Sequence, residues 1–134
     1  MMRPILLFGA TSILGYSLAR QYRDQVEPYG TPGDWPRHEG LWPQAPDILI
    51  YAHAVCDVPK CEGSPEWAQR INVGHVRRVL AALPAHTRMV YVSSDHVFGG
   101  DGIYDENAEP CPISVYGRSR VEAERLVLQR PGRW

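Results

Sequence analysis

Apolar and polar positions come in short blocks along this chain, and the length of each block predicts its element. Ile5–Phe8 is a continuous apolar run of four residues. A run that short predicts a strand buried on both faces, as in a parallel sheet. Leu14, Leu18 and Tyr22 then recur every fourth residue, which predicts a helix to about Arg23. Residues 25–30 predict a short second strand, placed at an edge because Pro28 has no N–H for a ladder. Residues 31–46 are proline-rich, without apolar periodicity, and predict an irregular loop. Asp47–Ala52 is the next buried strand, and residues 54–63 read as a loop. Ser64-Pro65-Glu66 opens a helix, with Ser64 as its cap and proline in the first turn. Trp67, Ile71, Val76, Val79, Leu80 and Leu83 give that helix one apolar face, and Pro84 stops it. Arg88–Ser93 is a third clear strand, followed by a loop over residues 99–112. Ser114 caps a last helix running to about Leu128.

Strands alternating with helices predict the α/β class: a Rossmann-like, doubly wound parallel sheet of about four to five strands. The 134 residues form one domain, 1–134, long enough to enclose a core. Net charge is -1 and the pI is near 6.5. That balance offers no basic stripe for nucleic acid and no polybasic patch for a membrane surface, so neither partner is expected. No apolar run approaches the roughly 20 residues of a membrane span. Ile5–Phe8 leads straight into a glycine turn and is not read as a signal peptide. Three cysteines without CxxC spacing predict reduced thiols in a cytoplasmic protein and no metal site.

Three constellations carry candidate chemistry. In Gly9-x-x-Ser12-x-x-Gly15 a strand ends, the chain turns and a helix begins. The first amides of a helix lack internal partners and attract a pyrophosphate, and glycine lets the backbone approach it. Ser93-Ser94-Asp95 stands at the carboxyl end of a strand, where parallel sheets place ligands. Tyr116 and Arg120 are four apart on a helix and share a face, so the cation can favour the phenolate. A phenol so tuned can pass a proton during carbonyl–alcohol interconversion.

In order and spacing the three together resemble an extended short-chain dehydrogenase/reductase. The chain is most similar to the N-terminal part of the dTDP-4-dehydrorhamnose reductase family of sugar-nucleotide reductases. The resemblance rests on Val92-Ser-Ser-Asp-His-Val-Phe-Gly-Gly-Asp-Gly-Ile-Tyr-Asp-Glu, then Pro110-x-Pro112-x-x-x-Tyr116-Gly-x-Ser119. Asp47-Ile-Leu-Ile-Tyr-Ala-His-Ala, Lys60-x-Glu62 and Ile71-Asn72 extend it. It implies NADP or NAD as cofactor and a nucleotide-sugar as substrate. Gly9, Ser12, Ile13, Leu14 and Gly15 would then form the pyrophosphate turn. Asp34 and Trp35 would hold the adenine, and Ala52, His53 and Ala54 would run along the cofactor. Ser94 would orient the substrate carbonyl, with Asp95 near the sugar. Tyr116 would be the proton donor, and Tyr116 and Arg120 would also meet the cofactor.

Three departures stand out against that family. Arg120 replaces its lysine, exchanging a compact ammonium for a wide planar fork. The proline-rich loop replaces a helix, and no acidic residue clearly marks the end of the second strand, so NAD and NADP remain alternatives. Arg23 and Arg37 are the candidate cations for a 2′-phosphate. The C-terminal substrate domain of the family is absent from these residues. The strand at 88–93 is therefore expected to present an open sheet edge, covered by a second copy or by a partner chain. Two functions follow: an NAD(P)-dependent reductase of a nucleotide-linked 4-keto-sugar, or a non-catalytic nucleotide-binding or regulatory module.

Overall fold

The computed structural model describes residues 5–28 and 46–131. Strands β1 (Ile5–Phe8), β2 (Val26–Pro28), β3 (Ile48–Tyr51) and β4 (Arg88–Tyr91) form one parallel sheet in the order β2-β1-β3-β4. The chain moves one way from β1 to β2, then returns past β1 to β3 and β4. Right-handed crossovers therefore place their helices on opposite faces, and the reversal lies between β1 and β3. Helix α1 (Ile13–Gln21) packs on β1 and β2. Helices α4 (His75–Ala82) and α5 (Val115–Leu128) cover the other face.

Period-two alternation builds that second face. Leu6 and Phe8 of β1, with Leu49 and Tyr51 of β3, meet Val76, Val79, Leu83, Ala123 and Val127. Burial of each such aliphatic or aromatic side chain contributes about 1.5–3 kcal/mol. The opposite face is less covered: Val90 of β4 is 50% exposed, and Leu14 and Tyr22 of α1 remain exposed although their spacing pointed them inward.

Four strands, their parallel sense and the last helix agree with expectation, and Ser114 caps α5 by accepting the Gly117 N–H at 2.9 Å. Two segments differ. Residues 54–63 are not all loop, because Val58–Gly63 forms helix α2. Asp57 caps it by accepting the Lys60 N–H at 3.0 Å, and Pro59 suits its first turn. The long helix from Ser64 is interrupted: α3 (Pro65–Gln69) runs into a π-turn over Arg70–Gly74 before α4 begins. Ser64 occupies the cap position of α3 without a side-chain cap bond.

Arg130 closes the far end of the core. Its guanidinium donates to the carbonyls of Leu80 (3.4 Å), Leu83 (3.3 Å) and Thr87 (3.4 Å), and also to Pro84. It satisfies the last carbonyls of α4, where a cation is favoured by the helix dipole. Arg130→Met is expected to lower stability by about 2 kcal/mol, measured as the urea midpoint shift at constant slope. An unchanged midpoint would mean that water replaces the guanidinium at no cost.

Candidate cofactor and catalytic site

The carboxyl ends of β1, β3 and β4 carry the candidate residues. Gly9 follows β1 with φ +88°, and a Cβ there would lie 2.4 Å from the Ala52 carbonyl oxygen. The glycine thus lets the turn after β1 press against the segment after β3. Ser12 caps α1: its hydroxyl accepts the Gly15 N–H at 3.0 Å and donates to the Gly9 carbonyl at 2.7 Å. Its own N–H also bonds the Gly9 carbonyl, at 2.9 Å. Ser12 therefore shapes the turn and is not the outward amide or hydroxyl donor that its position suggested. Gly15 is buried behind it. Ile13 and Leu14 are the first two residues of α1, where helix geometry leaves N–H groups without internal partners, and both side chains are exposed. A close-approach glycine turn ending in these amides fits a pyrophosphate. Asp34 and Trp35, like Arg37, lie outside the described residues.

Ala52, His53 and Ala54 leave β3 half-buried. The His53 ring meets Tyr51 edge-on, with centroids 6.4 Å apart, and stacks on His75 at 6.1 Å. Burial, then the facing His75 and the Arg120 charge, hold His53 down to about 4, and burial also lowers His75. Unfolded histidine titrates near 6.5, so below that pH the unfolded chain takes up protons that the fold refuses. Stability is complete above about pH 6.5, falls as pH drops and levels off below about 4. Discounted for partial exposure, the loss is about 1–2 kcal/mol. Thermal melts between pH 4 and 8 check it. His53→Ala should flatten the profile in that window, and an unaltered profile would assign the acid lability elsewhere.

Ser94 caps the single turn Asp95–Val97. Its hydroxyl accepts the His96 N–H at 3.2 Å and bonds Asp95 Oδ1 at 3.2 Å. Ser94 and Asp95 line an open depression of about 680 Å³ that also holds Asp105, Glu109 and Glu124. The same turn drives His96 against α5: a Cβ on Gly117 would lie 2.2 Å from the His96 carbonyl. The His96 ring then meets the buried Tyr116 ring edge-on, with centroids 5.2 Å apart. Ser94, Asp95, His96 and Tyr116 are thereby brought into one constellation.

Arg120 is buried, at 2% exposure. Its guanidinium donates to the Val92 carbonyl and lies 4.8 Å above the Tyr91 ring, against 6.0 Å from the Tyr116 ring. The shared helix face was legible from spacing, but the nearer partners are Tyr91 and Val92. Nε and Nη1 of Arg120 and the hydroxyls of Tyr51, Tyr91 and Ser93 are buried without hydrogen-bond partners among the described residues. Burial raises both phenols, Tyr51 and Tyr91, above the ordinary tyrosine range, while Arg120 opposes the rise.

Three residues that the resemblance motifs contain, but to which no role was assigned, position the site. Asn72, within the π-turn, accepts the Val55 N–H at 2.8 Å and donates to the Val55 carbonyl at 3.0 Å and Ser119 Oγ at 3.0 Å. Ser119 passes the link on by donating to the Tyr116 carbonyl at 2.7 Å. Glu62 of α2 accepts the Val115 N–H at 2.6 Å, fixing the first turn of α5. Asn72 stood in the resemblance as Ile71-Asn72, and its being polar amid the apolar face of a helix was the signal for its structural role. Glu122 and Glu124 of α5 are also engaged: Glu122 accepts from Gln69 at 2.8 Å, and Glu124 lines the site depression.

The RmlD substrate binding domain family matches residues 2–134. The chain belongs to this family. Among its relatives, dTDP-4-dehydrorhamnose reductase of Escherichia coli is 30% identical over 141 residues, covering 94% of this chain and 47% of that protein. Methionine adenosyltransferase 2 subunit beta of Xenopus laevis is 31% identical over 146 residues, covering 95% and 43%. The structure of dTDP-4-dehydrorhamnose reductase from Bacillus anthracis in complex with NADP superposes with a TM-score of 0.83 at 27% identity, covering 97% of this chain and 50% of that one. This RmlD-family chain thus spans about half the length of the curated relatives it matches. Among the described residues no helix is long and apolar enough to cross a membrane.

Proposed function

We propose that this chain is the cofactor-binding and proton-donating part of an NAD(P)-dependent reductase acting on a nucleotide-linked 4-keto-sugar. The observation that carries the reading is the Ser94-capped turn. It presses His96 onto Tyr116, at the same sheet end where Gly9 abuts Ala52. The relatives named for dTDP-4-dehydrorhamnose reduction, one in complex with NADP, support it.

The Ile13 and Leu14 amides would hold the pyrophosphate, and Ala52–Ala54 would lie along the cofactor. When bound, the nicotinamide supplies the hydride. The chain's own residues do the rest. Ser94 donates a hydrogen bond to the carbonyl oxygen and orients it. Tyr116, shielded from water, gives its phenolic proton to that oxygen as negative charge develops there. Arg120, on the same helix face, adds positive potential behind the phenol.

Arg120 also favours a second reading, a non-catalytic nucleotide-binding module. Its hydrogen bond to Val92 and its stacking on Tyr91 draw it away from Tyr116. One titration tests both readings: NADPH and NADH added to the purified chain, followed by nicotinamide fluorescence. Saturable binding is expected, and none at millimolar cofactor would overturn both. Arg120→Lys then separates them. Gained keto-sugar reduction supports the reductase with arginine as its block, and binding without reduction in either form supports the module.

A further inference from the structure

Tyr116 is buried, at 6% exposure, and as a proton donor it is left as phenolate once per turnover. That phenolate has to be reprotonated before the next turnover. Arg120 cannot do it, because a guanidinium holds its protons at every working pH. Burial pushes the phenols of Tyr51 and Tyr91 above the ordinary tyrosine range, so they keep their protons as well. The His53 ring is engaged with Tyr51 and His75. Asp95 Oδ1 accepts from the Ser94 hydroxyl at 3.2 Å, and the Tyr104 hydroxyl donates to the Gly99 carbonyl at 2.8 Å. His96 stands apart from these groups. Its ring meets the Tyr116 ring edge-on, with centroids 5.2 Å apart. Backbone packing holds it there. A Cβ on Gly117 would lie 2.2 Å from the His96 carbonyl and 3.0 Å from Pro112 Cβ. The turn that carries His96 is tied down on its other side, where the Cys111 N–H bonds the Val97 carbonyl at 2.9 Å. Imidazole is the side chain that both takes up and releases a proton near neutral pH.

We propose that His96 acts through Tyr116 as the carrier that restores its proton, an inference that rests on the reductase reading. The Tyr116 O–H bond breaks as its proton passes to the former carbonyl oxygen. The phenolate then takes the N–H proton of protonated His96, directly or across one water. The neutral imidazole recovers a proton from solvent, so one solvent proton enters for each hydride added and the carrier ends unchanged. Until that transfer, the imidazolium also favours the phenolate beside it. The titratable and charged groups that face His96 are few. Asp95 shares its turn, Tyr104 lines the same depression, and α5 presents Tyr116 with Arg120 behind it. Because the donating form is the protonated one, the supply of protons declines as pH rises through the His96 titration.

Two measurements test the proposal, the first without any cofactor. In a chain with tyrosines labelled with carbon-13 at Cζ, mixed light and heavy water splits the Cζ signal of a slowly exchanging hydroxyl into two lines. A rapidly exchanging hydroxyl gives one averaged line. Tyr116→Phe assigns the signal. Wild-type Tyr116 should give one line. His96→Phe, which keeps an aromatic edge against Tyr116, should give two, and millimolar imidazole should merge them again. His96→Gln should match His96→Phe, and far-UV circular dichroism with a cooperative melt confirms that each variant is folded. Equal exchange in the wild type and the folded variants overturns the proposal. The second measurement is keto-sugar reduction with NADPH. In His96→Phe, kcat should fall roughly tenfold or more with KM little changed, and imidazole should restore it. In the wild type, kcat should decline as pH rises through the His96 titration, followed by NMR of the same chain. Reduction indifferent to His96→Phe overturns the carrier role and leaves the reductase reading intact. A wild-type chain that binds NADPH but never reduces has no proton to return, and that result overturns both together.

Discussion

Asn72→Leu is expected to lower stability by about 2–4 kcal/mol, and the midpoint of thermal unfolding by about 10 °C. Leucine keeps asparagine's branched outline with bulkier tips, so the loss combines the missing hydrogen bonds with some overpacking. The asparagine is 1% exposed and uses its side-chain carbonyl and amide at once. Removing it takes a partner from the half-buried Val55 N–H, from the Val55 carbonyl, which keeps only the weak Cys61 thiol at 3.9 Å, and from Ser119. Each orphaned buried group costs about 1–3 kcal/mol, partly recovered as the loop relaxes. Ser119→Ala should cost only about 1 kcal/mol, because its hydroxyl and not the Val55 loop is lost. The two substitutions share a network and should be non-additive in a double-mutant cycle. Equal and additive losses would show that Asn72 acts on Val55 alone and leaves Tyr116 untouched.

That network marks the limit of what the sequence made legible. Buried strands announce themselves through short apolar runs, and β1 and β3 fall where those runs are, while the half-exposed β4 falls within the strand read at 88–93. Helix α5 is long enough for both its cap and its periodicity to be read. Helix α2 has only six residues, too few for a period, and only the Asp57 cap and Pro59 hint at it. The π-turn is invisible to a 3.6-residue pattern, because one wide turn shifts the phase without breaking the helix. Residue spacing put Tyr116 and Arg120 on one face. It could not say which acceptor a long guanidinium arm would take, and the Val92 carbonyl, 28 residues earlier in sequence, is a tertiary partner. Ser12 illustrates the same boundary: its place in the motif was right, but its hydroxyl serves the turn before any ligand.

Gly9→Ala carries the largest expected effect on the site, because two penalties coincide there. A φ of +88° is open to glycine and strained for alanine by about 1–2 kcal/mol. The new methyl would also sit 2.4 Å from the Ala52 carbonyl oxygen and 2.9 Å from the His53 nitrogen. Both are backbone atoms at the end of β3, and no side-chain rotation can clear them. The turn must lift from the sheet, which disturbs the β1–β3 junction and the start of α1 together. Unfolding in urea should show a loss above about 3 kcal/mol, within the range reserved for strain and overpacking. Gly100 supplies the control. It shares φ +88°, but a methyl placed there would have nothing within 4 Å, so Gly100→Ala should cost only the strain, about 1 kcal/mol. The difference between the two measures the steric share. Nicotinamide fluorescence gives the second readout: affinity should fall at least a hundredfold in Gly9→Ala and be unchanged in Gly100→Ala. A Gly9→Ala protein that binds cofactor normally would mean that the turn after β1 is a structural corner and that the cofactor, if it binds, is held elsewhere.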